Sequence, residues 1–436
     1  MSRPVPADPP RLAPALRAAL EAELDDAVAL RHALHREPRL SGDEADSRDL
    51  VLAALADLGT PELIADTGAM LRLGAPPDPA RPAVAVRAEL DALPVVERTG
   101  LPFSATGDVA HVCGHDVHVA ALVAVTRAVA RAGPELLTAP LLAVFQPREE
   151  KAPSGAADVA GDPRFAAHGA GAMLGVHVQP ELPRGTVSVR GGPVNASADE
   201  IEIEVHGRGG HGGYPHRTRD PVLALAQIVA GVHHIVSRRV DPMTAGVITL
   251  GQLEAGSAPN VVPETATARG TVRALDASRD ELLAALREVV ESTARAYGCS
   301  ATLTVVPNEP AVVNDEALAR TVARSLGSRR RDDPVDPGNG DAEPAADGLV
   351  LDTTFRSCGA DDFSHYGEVL PSLMLFVGTA AAGATPGAGP GLHHPEFSPD
   401  DAMVGEVARA LLAAVTAAGA ALVPAEDPLT AAAPHA

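Results

Sequence analysis

Near residue 195 the hydrophobic pattern of the chain changes, and that change constrains the fold more than any other feature. Before it, short apolar runs alternate with helical stretches. PAVAVRAEL (82–90), LLAVFQP (141–147) and GAMLGVHVQP (171–180) read as strands, and HDVHVAALVAVTRAVARAG (115–133) reads as a helix closed by Gly133. Strands alternating with helices imply a mostly parallel sheet with helices on its faces. After the change, DEIEIEVHGRGG (199–210), AGVITLGQLEAG (245–256) and ETATARGTVRAL (264–275) alternate polar and apolar residues, as strands solvated on one face do. With helices predicted over 220–239 and 276–298 and a strand over 302–307, the order is that of a small ferredoxin-like α+β domain. The α/β texture then resumes, with a helix after Asn314, a strand at 373–379 and a last helix from Pro399 to Ala420. The fold class is therefore α/β: a mixed, mostly parallel sheet flanked by helices over residues 1–194 and 306–436, with a ferredoxin-like α+β domain inserted at 195–305.

A chain of 436 residues is too long for one compact core, which agrees with two domains. A single helix is expected from Leu12 to Arg36, stopped by Pro38, and a second from Asp43 to Leu58, ended by Gly59. Residues 1–10 and the tail after Val423 read as frayed ends, and 328–350, rich in Pro, Gly and Asp, as a loop or disordered insertion. The aromatic share is only 2%, with no Trp, so the core must be built from Ala, Val and Leu. A formal charge of −22 repels phosphate backbones and argues against nucleic acid as a partner. Three cysteines, Cys113, Cys299 and Cys358, do not make a disulfide framework, and Cys299 and Cys358 are read as structural. The N-terminus has no apolar h-region, and no apolar run is expected to reach the length of a membrane-spanning helix. A cytoplasmic protein without a membrane partner is the resulting expectation.

Five segments carry potential metal ligands at the ends of predicted strands. HVCGHDVH (111–118) sets Cys113 and His115 two apart just before a helix, where a helix N-terminus and a cation would both lower the thiol pKa. Taken alone, Cys113 is as well read as a small buried hydrophobe, and His115 as a core histidine. FQPREE (145–150) places adjacent carboxylates after a buried strand, so one can bind metal while the other faces the substrate as general base. Alone, it is better read as an acidic loop. His177 interrupts an apolar strand and must find a partner if buried. GLHHPEF (391–397) offers His393 and His394, and RAELDALP (87–94) offers Glu89 and Asp91. Together these supply one thiolate, several imidazoles and several carboxylates, a donor set that suits two borderline divalent ions.

These residues, in this order, resemble the M20 metallopeptidase family, and most closely its amidohydrolase branch of aminoacylases, hippurate hydrolases and auxin-conjugate hydrolases. The match begins at LRHALHREPRLSGDEADSRDL. It runs through RAELDALP, HVCGHDVHVA, FQPREE, GVHVQP, GRGGHGGYPHRTRDP, GSAPNVVPE, GTVR and GADDFSHY to LHHPEF. The resemblance implies a catalytic domain interrupted by a lid and dimerisation domain. It implies Cys113, His115, Glu150, His177 and His393 as ligands of two divalent metal ions (Mn2+ or Zn2+), and Glu149 as general base. It further implies that His211, Asn260 and Arg273 contact a small amide substrate, that His211 reaches a neighbouring subunit's site in a homodimer, and that Asp91 orients a ligand. Four positions depart from the usual pattern: Arg148 stands where a small residue is usual, Val117 where Gly is common, Asp361 where Glu is usual, and Glu89 where Asp is common. Arg148 adds a cation near the catalytic carboxylates and is expected to lower the pKa of the base.

The expected activity is hydrolysis of the amide bond of an N-acyl amino acid or a related small conjugate. Three alternatives stay open from the sequence. They are a dipeptidase or carboxypeptidase of the same family, a non-catalytic protein that binds a ligand through the metal site, and a cysteine enzyme using Cys113 with a neighbouring His.

Overall fold

The computed structural model describes residues 12–423 apart from 242, 276–278, 327–348, 382, 383 and 386. Residues 1–10, the tail after Val423 and 328–348 of the predicted loop 328–350 lie outside the described residues, while Val350, at the end of that predicted loop, opens the strand Val350–Asp352. The chain divides into two compact units, one within Met1–Gly192, Val313–Phe355 and His365–Ala436, the other within Pro193–Val312 and Arg356–Ser364.

The first unit is built on an eight-stranded sheet. Its strands lie in the order Glu62–Ile64, Gly68–Leu73, Leu141–Gln146, Ala83–Glu89, Ala170–Pro183, Ser372–Ala380, Thr186–Ser188, Val350–Asp352. The centre is parallel: Ala83–Glu89 pairs in parallel with both neighbours, and Ser372–Ala380 with Ala170–Pro183. Antiparallel pairings at Gly68–Leu73 and at Thr186–Ser188 make the sheet mixed. Every residue of Ala83–Glu89 and of Leu141–Gln146 is buried, as strands covered on both faces must be. The helices Pro14–Glu21, Leu24–Arg36, His115–Ala132 and Ala402–Leu422 join the sheet in one apolar cluster of Leu, Val and Ala. Small side chains set the packing distance here. A Cβ added at Gly419 would lie 3.2 Å from the Ala139 Cβ, so the last helix tolerates little growth at that contact.

Two expectations need correction. The helix predicted from Leu12 to Arg36 is two helices, broken after Glu21. Glu23, 2% exposed, lies between the two helices and pairs with Arg127 (2.9 Å) and Arg131 (2.6 Å). Among the described residues two helices, not none, are long and apolar enough to cross a membrane by length and composition: Pro221–Arg238 and Ala402–Leu422. The second is mostly buried as the core helix just described. The first packs one apolar stripe, Ala224, Leu225, Ile228, Val232 and Ile235, into the core of its own unit and carries His233, His234 and Arg238 elsewhere.

The second unit contains a four-stranded antiparallel sheet in the order Gly246–Ala255, Thr265–Ala274, Ser197–His206, Ser300–Pro307. Helices Pro221–Arg238 and Arg279–Ala296 share its apolar cluster. This strand–helix–strand–strand–helix–strand order, with the first and third strands central, is ferredoxin-like. Period-two alternation explains the one-sided cover: Ile201, Ile203 and Val205 are buried, while Glu200, Glu202 and Glu204 between them are not. A two-stranded ladder, Gly210–His211 with Val261–Val262, belongs to the same unit.

Candidate active site

The cluster of polar groups in the first unit starts from a glycine. Gly114 has φ 92° and sits at the N-terminus of the helix His115–Ala132; a Cβ there would lie 2.4 Å from Cγ2 of Val178. Only glycine adopts this backbone at that distance, and the close approach brings Cys113 and His115 against the strand that carries His177. Glu149 and Glu150 follow the C-terminal end of Leu141–Gln146, where parallel sheets open their sites. His393 comes from the loop after Ser372–Ala380; it has φ 66°, and its N–H donates to the Val112 carbonyl at 2.8 Å.

Donor atoms of Cys113, His115 and His177 lie within 4.8 Å of one another, as do those of Cys113, Glu150 and His393, and those of His115, Glu149 and Glu150. Shared members make these three triads one continuous cluster. The Cys113 Sγ lies 3.5 Å from His177 Nε2, His393 Nε2 lies 3.3 Å from Glu150 Oε1, and His115 Nε2 lies 3.8 Å from Glu149 Oε2. Backbone carbonyls set both buried imidazoles. His115 Nδ1 donates to the Asp91 carbonyl (2.9 Å) and His177 Nδ1 to the Val178 carbonyl (2.7 Å), so each ring turns Nε2 toward the cluster. Asp91 Oδ2 accepts from the Glu150 N–H (2.8 Å) and the Ser41 hydroxyl (2.7 Å), and its Oδ1 lies 3.4 Å from His115 Nδ1.

The electrostatics call for positive charge. Burial alone would depress His115, but the carboxylates of Glu89, Asp91 and Glu150 outweigh it and raise its pKa to about 10. For His177, burial dominates and lowers the pKa to about 3. Burial, and then the carboxylates of Glu150, Glu149 and Glu89, hold the Cys113 thiol well above its usual range. Among such carboxylates the thiolate form requires a cation beside it, the second of the two influences named from the sequence. Three buried polar atoms here, Asp91 Oδ1, His115 Nε2 and Glu150 Oε1, have no hydrogen-bond partner. Orphaned, buried donors around a thiol are costly unless something coordinates them, and divalent cations fit this N, O and S set.

Neighbouring residues that the sequence offered as ligands hold the frame instead. Asp116 accepts from Arg31 Nε and from His35 Nδ1, both at 3.0 Å, and Arg31 also donates to the Pro399 carbonyl at 2.6 Å. Arg31 thereby joins the helix of His115 to the segment following His393. His118 Nδ1 meets Glu89 Oε2 at 2.9 Å, and its Nε2 accepts the Val178 N–H at 3.0 Å; Glu89 also pairs with the buried Arg87. Among residues that sequence reading missed, Arg31 and Ser41 lie inside the LRHALHREPRLSG stretch, yet nothing in its spacing points to a site 50 or more residues away. The Arg148 guanidinium binds Asp66 Oδ2 (3.1 Å) and Asp158.

The other three sequence-derived residues lie in the second unit. His211 pairs in register with Val261, and the Gly212 N–H donates to the Asn260 carbonyl at 2.8 Å, so His211 and Asn260 come together. His211 is exposed, and its Nδ1 accepts the Gly213 N–H at 2.9 Å, which leaves Nε2 as the outward donor. Arg273 lies in the four-stranded sheet and donates to the Cys358 carbonyl at 3.1 Å.

A sequence profile of Peptidase family M20/M25/M40 matches residues 85–416. N-acetylcysteine deacetylase of Bacillus subtilis (strain 168) is 32% identical over 385 residues, covering 86% of this chain and 92% of that protein. Thermostable carboxypeptidase 1 of Saccharolobus solfataricus is 31% identical over 366 residues, covering 82% and 87%. Among solved structures, the Bacillus subtilis YXEP protein, described as a dinuclear metal binding peptidase, superposes with a TM-score of 0.72 at 26% identity, covering 91% of this chain and 98% of that one.

Proposed function

We propose that this chain, which belongs to peptidase family M20/M25/M40, is an amidohydrolase specific for N-acylated amino acids or related small amide conjugates. Relatives of this chain are named as deacetylases and the YXEP structure as a dinuclear metal binding peptidase, which supports metal-dependent amide hydrolysis; the substrate class, the residue roles and the metal are our reading. The observation that carries it is the set of orphaned buried atoms around Cys113, with a second carboxylate, Glu149, at 3.8 Å from His115.

In this reading Cys113, His115, Glu150, His177 and His393 hold the ions, and Asp91 orients His115 and the Glu150 backbone. The bound ions supply Lewis acidity, which lowers the pKa of water and polarises a carbonyl. Glu149 accepts the proton of the attacking water on its carboxylate and delivers it to the departing amine nitrogen. His211, its tautomer set by Gly213, donates from Nε2 to the developing oxyanion. It acts across a homodimer, from the neighbouring subunit's residues 195–305, which serve as lid. Asn260 and Arg273 bind the substrate. The Cys113 thiolate favours zinc and the carboxylates also admit manganese. We place the protein in the cytoplasm, without nucleic-acid or membrane partners.

A carboxypeptidase is the second reading, favoured by the likeness to the Saccharolobus enzyme. One assay separates the two. The purified protein is offered N-acetyl, N-benzoyl and indole-acetyl amino acids beside dipeptides, before and after chelation and with added manganese or zinc. Turnover of acyl amino acids, lost to chelator and restored by metal, is the expected result. Turnover of peptides alone selects the carboxypeptidase, and chelator-resistant turnover overturns both.

A further inference from the structure

We propose that Arg148 is a positioning residue whose side chain clamps the loop bearing Glu149 and Glu150 to two other segments of the first unit. The inference rests on the reading of Glu149 as general base. Arg148 is one of four non-glycine residues with positive φ among the described residues, at 53°, a conformation that persists only where its surroundings enforce it. Its own backbone is held on both sides. The N–H donates to Oε1 of the buried Glu44 at 2.8 Å, and the carbonyl accepts from the Gly155 N–H at 3.0 Å. Glu44 in turn accepts from the Gly42 N–H (2.8 Å) and the Thr67 hydroxyl (2.6 Å). A Cβ on Gly155 would lie 1.7 Å from the Pro147 carbonyl oxygen, so the loop is pressed directly onto the start of the helix Gly155–Gly161.

The side chain adds what the backbone cannot. Its guanidinium, 14% exposed, reaches Asp66, in the turn between Glu62–Ile64 and Gly68–Leu73, and Asp158, on the helix Gly155–Gly161. A planar fork can serve two carboxylates from separate segments; a lysine, as a single point donor, serves them poorly. Two aspartates beside one guanidinium also offset its field, so Arg148 acts on Glu149 through geometry. A base displaced by even 1 Å loses much of its rate, and the residue immediately before it is where that displacement is set.

The test uses the metal-loaded protein and three variants: R148A, R148K and the double variant D66N/D158N. In R148A and in the double variant kcat falls about 10- to 100-fold, while KM and bound-metal content stay within about twofold; R148K recovers part of the loss. The backbone amides of residues 148–152 and 154–157 exchange faster with solvent in both, a readout that needs no turnover and therefore stands if the amidohydrolase reading fails. Because Asp66 and Asp158 are largely exposed, the wild-type kcat drifts toward that of R148A at about 1 M salt, whereas the R148A rate stays flat. Unchanged kcat and unchanged exchange in R148A overturn the proposal. So does a loss in R148A that the double variant does not share, since Arg148 would then be acting on substrate rather than through its clamp.

Discussion

The two units treat polarity in opposite ways. In the first, strands are buried on both faces, and the polar groups that break the apolar pattern, His115, His177 and Asp91, are each less than 10% exposed. In the second, one face of the sheet is open, Glu200, Glu202 and Glu204 line it, and His211 and Asn260 are exposed. A buried polar group must be accounted for by a partner, so the first unit's interior constrains what can sit among its donors. An exposed imidazole is satisfied by water, and His211 is held by its ladder with Val261, by the Tyr214 ring at 5.3 Å and by the Gly213 N–H that sets its tautomer.

If that contrast is right, the units should answer perturbation differently. The largest effect belongs to Glu149→Gln, which removes the proposed base while keeping size: kcat should fall by about 10^2- to 10^4-fold with bound metal unchanged by elemental analysis. Near-normal turnover would remove Glu149 from the mechanism. His211→Ala should cost about 10^2- to 10^3-fold in kcat, yet leave metal content and the thermal midpoint as they were. A change in either would mean that His211 is part of its unit's packing after all, and would break the comparison.

Chelation should act on stability where the donors are. Metal at 100 times its Kd stabilises the state that binds it by about 2.7 kcal/mol, so calorimetry should show one transition moving down on chelation, that of the first unit, and a second holding still. Equal shifts in both would mean the units unfold as one.

The smallest effects contrast single carboxylates. Asp352, 3% exposed, would be raised by burial, but hydrogen bonds from Ser188, Thr354 and Phe355 outweigh this and lower its pKa. A depressed pKa contributes stability above the unfolded value of about 3.9, lost as pH falls through the folded one. Asp352→Asn should therefore cost about 1–3 kcal/mol at pH 6, with the gap to wild type closing in acid. Glu202→Gln removes the exposed pair with Arg269 at 3.2 Å and should cost less than about 1 kcal/mol at any pH. Chemical denaturation at several pH values reads both, and a larger loss for Glu202 would reverse the contrast.

Much of this was legible because it is local. The switch from continuous apolar strands to alternating ones marks the two sheets, since period and burial are written into each strand. Cys113, His115, Glu149 and Glu150 could be singled out because their spacing sits at element ends, and His177 because it interrupts an apolar run. What stayed hidden is what joins distant segments. Glu23, between two helices, pairs with Arg127; Ser41 holds Asp91; Glu44, Asp66 and Asp158 hold Arg148. The short edge strands Glu62–Ile64 and Gly68–Leu73 have too few residues for a period to show.

The sequence by itself determined the fold class, the kinds of donor available and their nearness to strand and helix ends, because hydrophobic period and chain direction are properties of consecutive residues. Only the tertiary structure decided which nitrogen of each buried histidine faces the cluster, which neighbouring carboxylates are taken up by buried hydrogen bonds, and that the Arg148 guanidinium pairs with Asp66 and Asp158. Each of those depends on a hydrogen bond between residues far apart in the chain, and such a bond exists only once the sheet has brought its strands together.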